Sequence, residues 1–118
     1  MVHRILLVDD DRLLREVIGE FLTSNGYKVD LAEDAEQALA VFTPGRYKAA
    51  LIDIVMPGMD GLELMKEILK QDEDIFCLIM TGYPTIDLAY KAMVPGVSDY
   101  IIKPFQLLEL LNILQKNI

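Results

Sequence analysis

Five short apolar runs, each followed by a stretch whose apolar residues recur at helical spacing, constrain this chain more than any other feature. The runs are Ile5–Val8, Val29–Ala32, Ala49–Ile52, Ile75–Met80 and Tyr100–Ile102. They are brief, nearly continuous and bounded by turn formers, as strands buried on both faces are. After them, Leu14, Val17, Ile18 and Phe21 fall on one face of a first helix, and Ala35, Ala38, Leu39 and Phe42 on one face of a second. Leu62, Met65, Ile68 and Leu69 repeat the pattern in a third helix, Ala89, Tyr90 and Met93 in a fourth, and Leu107, Leu110, Leu111 and Leu114 in a fifth. Asn25-Gly26, Pro44-Gly45 and Pro95-Gly96 close the first, second and fourth of these. The alternation predicts an α/β fold with a five-stranded parallel sheet and helices on both faces, since parallel strands need crossover connections and those are right-handed. Five βα units use all 118 residues, so residues 1–118 read as a single domain with one core.

Charge narrows the partners. Eleven Lys and Arg face nineteen Asp and Glu, a net charge of −8, and no segment gathers the basic residues into a stripe. Direct nucleic-acid binding, which draws its affinity from clustered cations neutralising phosphates, is disfavoured. The start, Met1-Val2-His3-Arg4, leads into an apolar segment too short for a signal-peptide core, and no later run reaches membrane-spanning length. A cytoplasmic domain without membrane association is expected. Cys77, the only cysteine, lies inside the fourth apolar run and reads as core packing. His3 is the sole histidine and precedes the first strand, and no Ser/His/Asp or Cys/His nucleophile set can be assembled.

Polar residues stand where the apolar runs stop. The first run ends in Asp9-Asp10-Asp11, the third in Asp53, the fourth in Thr81-Gly82 and the fifth in Lys103-Pro104. Singly, each has an ordinary reading: Asp11 as the cap of a helix beginning at Arg12, Thr81 as a turn residue, Lys103 as a solvated surface lysine, Asp53 as a turn former. A parallel sheet changes this, because it points every strand's carboxyl end the same way and gathers these groups in one crevice. Crowded carboxylates repel unless a cation joins them, and an all-oxygen donor set favours a hard ion such as Mg²⁺, with Mn²⁺ as a substitute. A carboxylate can also attack phosphorus to give an acyl phosphate, whose oxygens then need positive charge and hydrogen-bond donors. Mg²⁺, the Lys103 ammonium and the Thr81 hydroxyl would supply them.

Leu6-Leu7-Val8-Asp9-Asp10-Asp11, Asp53-Ile54-Val55-Met56-Pro57-Gly58-Met59-Asp60-Gly61, Thr81-Gly82-Tyr83 and Tyr100-Ile101-Ile102-Lys103-Pro104-Phe105 together resemble the motifs of response-regulator receiver domains. The match spans essentially the whole chain, with several separated motifs in order. The resemblance implies a flavodoxin-like (βα)5 three-layer sandwich with strand order 2-1-3-4-5. It implies Asp53 as phospho-acceptor, with Asp9, Asp10, Asp53 and the Val55 backbone carbonyl as metal ligands and Asp10 the more direct of the acidic pair. Thr81 would be the switch hydroxyl, Lys103 the phosphate-pairing lysine and Tyr100 the aromatic that reports the state. A cis bond between Lys103 and Pro104 is implied as well.

The donor would be a phosphohistidine on a sensor histidine kinase, a phosphotransfer protein, or a small acyl phosphate. The domain would be a switch that phosphorylates and dephosphorylates itself, not a turnover enzyme. A second copy or an effector would read the face made by the fourth helix, fifth strand and fifth helix. Val55 and Tyr83, each two residues beyond a site residue, should overhang the phosphoryl group and slow its hydrolysis. Gly82 should leave phosphate access open, and Pro95 should shorten the fourth helix. Leu108 and Ile113 lie off the apolar stripe of the fifth helix, an excess of apolar residues that marks either an interface or partial burial at the stripe's margins.

Two other chemistries fit parts of the pattern. A small Mg²⁺-dependent phosphatase of the haloacid-dehalogenase type would use Asp9 as nucleophile and Asp11 as acid/base, but Leu13 stands where such enzymes carry Thr or Val. A flavodoxin-like FMN binder would want Ser, Thr and Gly donors in the first loop, where this chain has three carboxylates.

Overall fold

The computed structural model describes residues 2–54, 60–82 and 96–118. The five strands are β1 (Arg4–Val8), β2 (Lys28–Ala32), β3 (Ala49–Asp53), β4 (Phe76–Thr81) and β5 (Asp99–Ile102). The described helices are α1 (Arg12–Ser24), α2 (Ala35–Val41), α3 (Gly61–Gln71) and α4 (Leu107–Asn117), the last being the fifth predicted from sequence. The fourth predicted helix, with Pro95, lies outside the described residues.

All strand pairs are parallel and the sheet order is β2-β1-β3-β4-β5. The expected flavodoxin-like order is therefore the one observed. Central strands β1, β3 and β4 bury side chains on both faces while edge strands β2 and β5 are partly exposed, and period-two alternation divides the buried side chains into two cores. Leu6, Val8, Ala50, Ile52, Cys77 and Ile79 pack with Ala38 of α2 and Leu64, Met65 and Ile68 of α3 on one face. Ile5, Leu7, Leu51, Leu78 and Met80 pack with Ile18 and Leu22 of α1 and Leu110 and Leu114 of α4 on the other.

Local signals set the boundaries. Asp11, Asp34 and Asp60 cap α1, α2 and α3, each carboxylate accepting a backbone N–H three residues on. Gly26, at φ 94°, turns the chain out of α1 into β2 as a glycine after the C-cap does.

One sequence reading needs correction and another is decided. Val17 is exposed and Leu22 is fully buried, because Leu14, Ile18 and Leu22, one turn apart, make the stripe that meets the sheet and Val17 falls at its margin. On α4, Ile113 packs against the core and only Leu108 projects outward, at 62% exposure. Cys77 is fully buried, and its burial, with the charge of Asp72 nearby, pushes the thiol up to about 12, which fits packing and not reactivity.

Candidate functional site

Central strands β1, β3 and β4 end side by side, and the residues closing them form the site. Asp9, Asp53 and Thr81 are the buried polar residues among those described, a placement apolar strands do not tolerate without partners. Asp9 is fully buried just past β1, and both its oxygens are engaged. Its Oδ2 accepts from Lys103 Nζ at 2.7 Å and its Oδ1 from the Asp11 backbone N–H at 2.9 Å. Lys103 also lies 3.3 Å from Asp53 Oδ2, so one ammonium bridges two strand ends. Asp10, beside them, is exposed.

Burial alone would lower the pKa of the Lys103 ammonium. The hydrogen bond to Asp9 and the charges of Asp53 and Asp9 outweigh it and hold the ammonium above its ordinary value. Lys103 is therefore a fixed cation in the crevice. Its backbone N–H donates to the Thr81 carbonyl at 2.6 Å, which ties the end of β5 to the end of β4. The Lys103–Pro104 bond is cis.

Asp9, Asp10 and Asp53 each bring a carboxylate oxygen to within 4.8 Å of the others. Among the described residues, three carboxylates against the Lys103 ammonium and the Arg15 guanidinium on the Asp9 carbonyl still leave surplus negative charge in a partly dry crevice, and all the donors are hard oxygens. That set fits a divalent cation of the Mg²⁺ type. Asp11 takes no part, because its carboxylate is committed to the Leu14 N–H as the cap of α1.

Register places the remaining groups. Asp53 pairs with Met80, so Thr81 stands one residue further along the neighbouring strand. Tyr100 pairs with Ile79, two residues before Thr81, and packs half-buried against the same core as Ile79. Thr81 and Tyr100 therefore face the same side of the sheet on adjacent strands. Asp9, Asp10, Asp53, Thr81 and Lys103 are thus brought to one edge, and Tyr100 stands next to it. Val55 and Tyr83 lie outside the described residues.

Sequence reading passed over two contributors. Arg15 reaches back from α1 and donates through Nη1 to the Asp9 backbone carbonyl at 2.7 Å, fixing the turn that carries the acidic pair. No local pattern marks it, since the contact depends on how α1 leans over β1. Gly61 packs its backbone against the end of β3. Its signal was a glycine opening a helix, where propensity disfavours one.

Comparison with known proteins agrees with this geometry. The chain matches the response regulator receiver domain over residues 5–115 and belongs to that family. Among curated relatives it resembles the response regulators MprA of Mycolicibacterium vanbaalenii and Mycobacterium bovis, each 39% identical over 111 residues. Those matches take in 94% of this chain and 48% of the relative, so the chain spans about half the length of the curated relatives it matches. Among solved structures, the Vibrio cholerae chemotaxis protein CheY4 is 30% identical, with a TM-score of 0.88 and full coverage of both chains. Thermotoga maritima response regulator TrrA, solved in complex with Mg(2+)-BeF, is 35% identical at TM-score 0.88, covering 99% of this chain and 100% of that one.

The chain is accordingly a signalling receiver domain of the two-component type. The phosphatase reading finds no support: Asp9 is sealed from solvent with both oxygens bonded, and Asp11 caps a helix. Among the described residues no helix is long and apolar enough to cross a membrane.

Proposed function

We propose that residues 1–118 form a single cytoplasmic receiver domain whose Asp53 accepts a phosphoryl group from the phosphohistidine of a sensor kinase or phosphotransfer protein. The observation that carries the reading is the convergence on one crevice of Asp53, the Asp9–Asp10 pair and the bridging Lys103 ammonium. In the transfer, an Asp53 carboxylate oxygen bonds to phosphorus as the P–N bond breaks, and that bond's electron pair returns to the imidazole nitrogen. Lys103, 3.3 Å from Asp53 Oδ2, and the hydroxyl of Thr81, one residue beyond the strand partner of Asp53, would pair with the phosphoryl oxygens, so the domain contributes mainly position and charge. Asp9, Asp10, Asp53 and the Val55 carbonyl would hold Mg²⁺ or Mn²⁺, which supplies neutralisation of the transferring oxygens.

Signalling follows from the product. Phosphorylation replaces a carboxylate with a group richer in acceptor oxygens, which draws Thr81 toward it. Tyr100, on the same side of the sheet, responds by turning inward, and the repacked face selects a second copy or an effector. Like other receivers, the domain is a switch that also hydrolyses its own acyl phosphate. Incubating wild type and Asp53→Asn with acetyl phosphate and Mg²⁺ tests the assignment by intact mass. One phosphoryl group on wild type and none on the variant supports it, and equal labelling of both refutes it.

A further inference from the structure

Gly61 opens α3 against the backbone of the strand end that carries Asp53. A Cβ built on it would overlap the Asp53 carbonyl oxygen and lie 2.8 Å from the Ile54 Cα and 2.9 Å from the Asp53 carbonyl carbon. These are backbone atoms, so no side-chain rotation relieves the collision. At Gly19 and Gly96, by contrast, a Cβ would meet only the flexible ends of leucines. The approach at Gly61 is bonded, its N–H donating to the Ile54 carbonyl at 3.1 Å, and Asp60 caps the helix at that point.

Both partners of this contact are held from behind. The Ile54 N–H donates to the Met80 carbonyl at 3.2 Å, and β3 is paired with β1 on one side and β4 on the other. Leu62, Leu64, Met65 and Ile68 bury α3 in the core, so the helix cannot slide away without opening a cavity. A side chain at position 61 must therefore press on the Asp53–Ile54 backbone itself, the strand end from which the carboxylate projects.

We infer that Gly61 is a positioning residue for phosphoryl transfer: its missing side chain seats α3 on the Asp53 backbone and keeps the carboxylate in register with Lys103, Asp9 and Asp10. The inference rests on Asp53 being the acceptor. It goes beyond that assignment, because it places part of the transfer geometry in a residue that touches neither phosphate nor metal.

The test compares Gly61→Ala with Met65→Ala, which loosens the same helix without pressing on the strand end. Each is measured for thermal stability, for the rate of labelling by acetyl phosphate in Mg²⁺, and, free of metal, for the Asp53–Lys103 separation in a crystal structure. Gly61→Ala is expected to label on the order of tenfold to a hundredfold more slowly, with that separation lengthened beyond 3.3 Å. Met65→Ala is expected to lose stability and label at the wild-type rate. A folded Gly61→Ala that labels normally with Asp53 in place overturns the inference, as does equal slowing in Met65→Ala. If Gly61→Ala does not fold in buffer it is assayed in concentrated sucrose, which favours burial. Failure to fold there also overturns it, by confining the glycine to a folding role. Absence of labelling in wild type strikes the acceptor assignment instead, and the metal-free separation still decides on Gly61.

Discussion

Lys103 Nζ sits 2.7 Å from Asp9 Oδ2 and joins the first strand to the last across 94 residues of sequence. Asp9 is fully buried, so this contact largely determines whether its charge is tolerated. The same ammonium reaches Asp53, which couples the folding of the sheet to the readiness of the site.

Removing that cation should cost both stability and chemistry. Lys103→Met leaves Asp9 and Asp53 facing each other without it, and a loss of about 2–3 kcal/mol follows once the partial exposure of Lys103 is discounted. Urea denaturation at neutral pH measures it, and labelling by acetyl phosphate should fall in parallel. Unchanged stability would mean that the buried pair contributes nothing net.

Divalent cation should stabilise the fold by binding the native state alone. Mg²⁺ at a hundred times its Kd raises stability by about 2.7 kcal/mol, seen as a rise in Tm. Asp10→Asn relieves repulsion in the metal-free crevice and removes a donor. Its Tm without metal should equal or exceed wild type, and its response to Mg²⁺ should be largely lost. A full Mg²⁺ response in this variant would place the ion elsewhere.

Alkaline pH should unfold the protein through two buried groups far from phosphorylation. Burial first, and then its hydrogen bond to Asp30, pushes the Tyr47 hydroxyl from 10.0 to about 12, while burial pushes Cys77 from 9.0 to about 12. In each case the folded pKa lies above the unfolded one. The stability these groups contribute is therefore complete below the unfolded values and lost as pH rises from about 9 toward 12. Tyr47→Phe should flatten the part of the decline that begins near pH 10, and at neutral pH it should leave the labelling rate unchanged. A decline of wild-type slope in the variant would contradict this origin.

Most of this arrangement is legible in the sequence. The strands were readable because parallel β1, β3 and β4 are apolar on both faces, which leaves Asp53 and Thr81 conspicuous where the runs end. Asp11 was readable as a cap because capping is local. What escaped depends on tertiary approach: the lean of α1 that brings Arg15 to the Asp9 carbonyl, and the closeness of α3 to β3 that only a glycine allows. Val17 was misjudged for the same reason, since periodicity gives the width of an apolar stripe but not which edge of it meets the sheet.

Thr81 should matter more for the response than for the transfer. Thr81→Ala keeps Asp53 and Lys103, so labelling should persist within about tenfold of wild type, the scale of one lost hydrogen bond. The shift of the Tyr100 ring resonances on phosphorylation should shrink. A full Tyr100 response without the hydroxyl would remove Thr81 from the switch.

The most direct measurement locates the phosphoryl group itself. Wild-type protein labelled by acetyl phosphate in Mg²⁺ is reduced with borohydride, which converts an aspartyl phosphate to homoserine, and its peptides are then sequenced. Homoserine at position 53 alone is the predicted result, and homoserine at position 9 or 10, or at none of the three, would contradict the account.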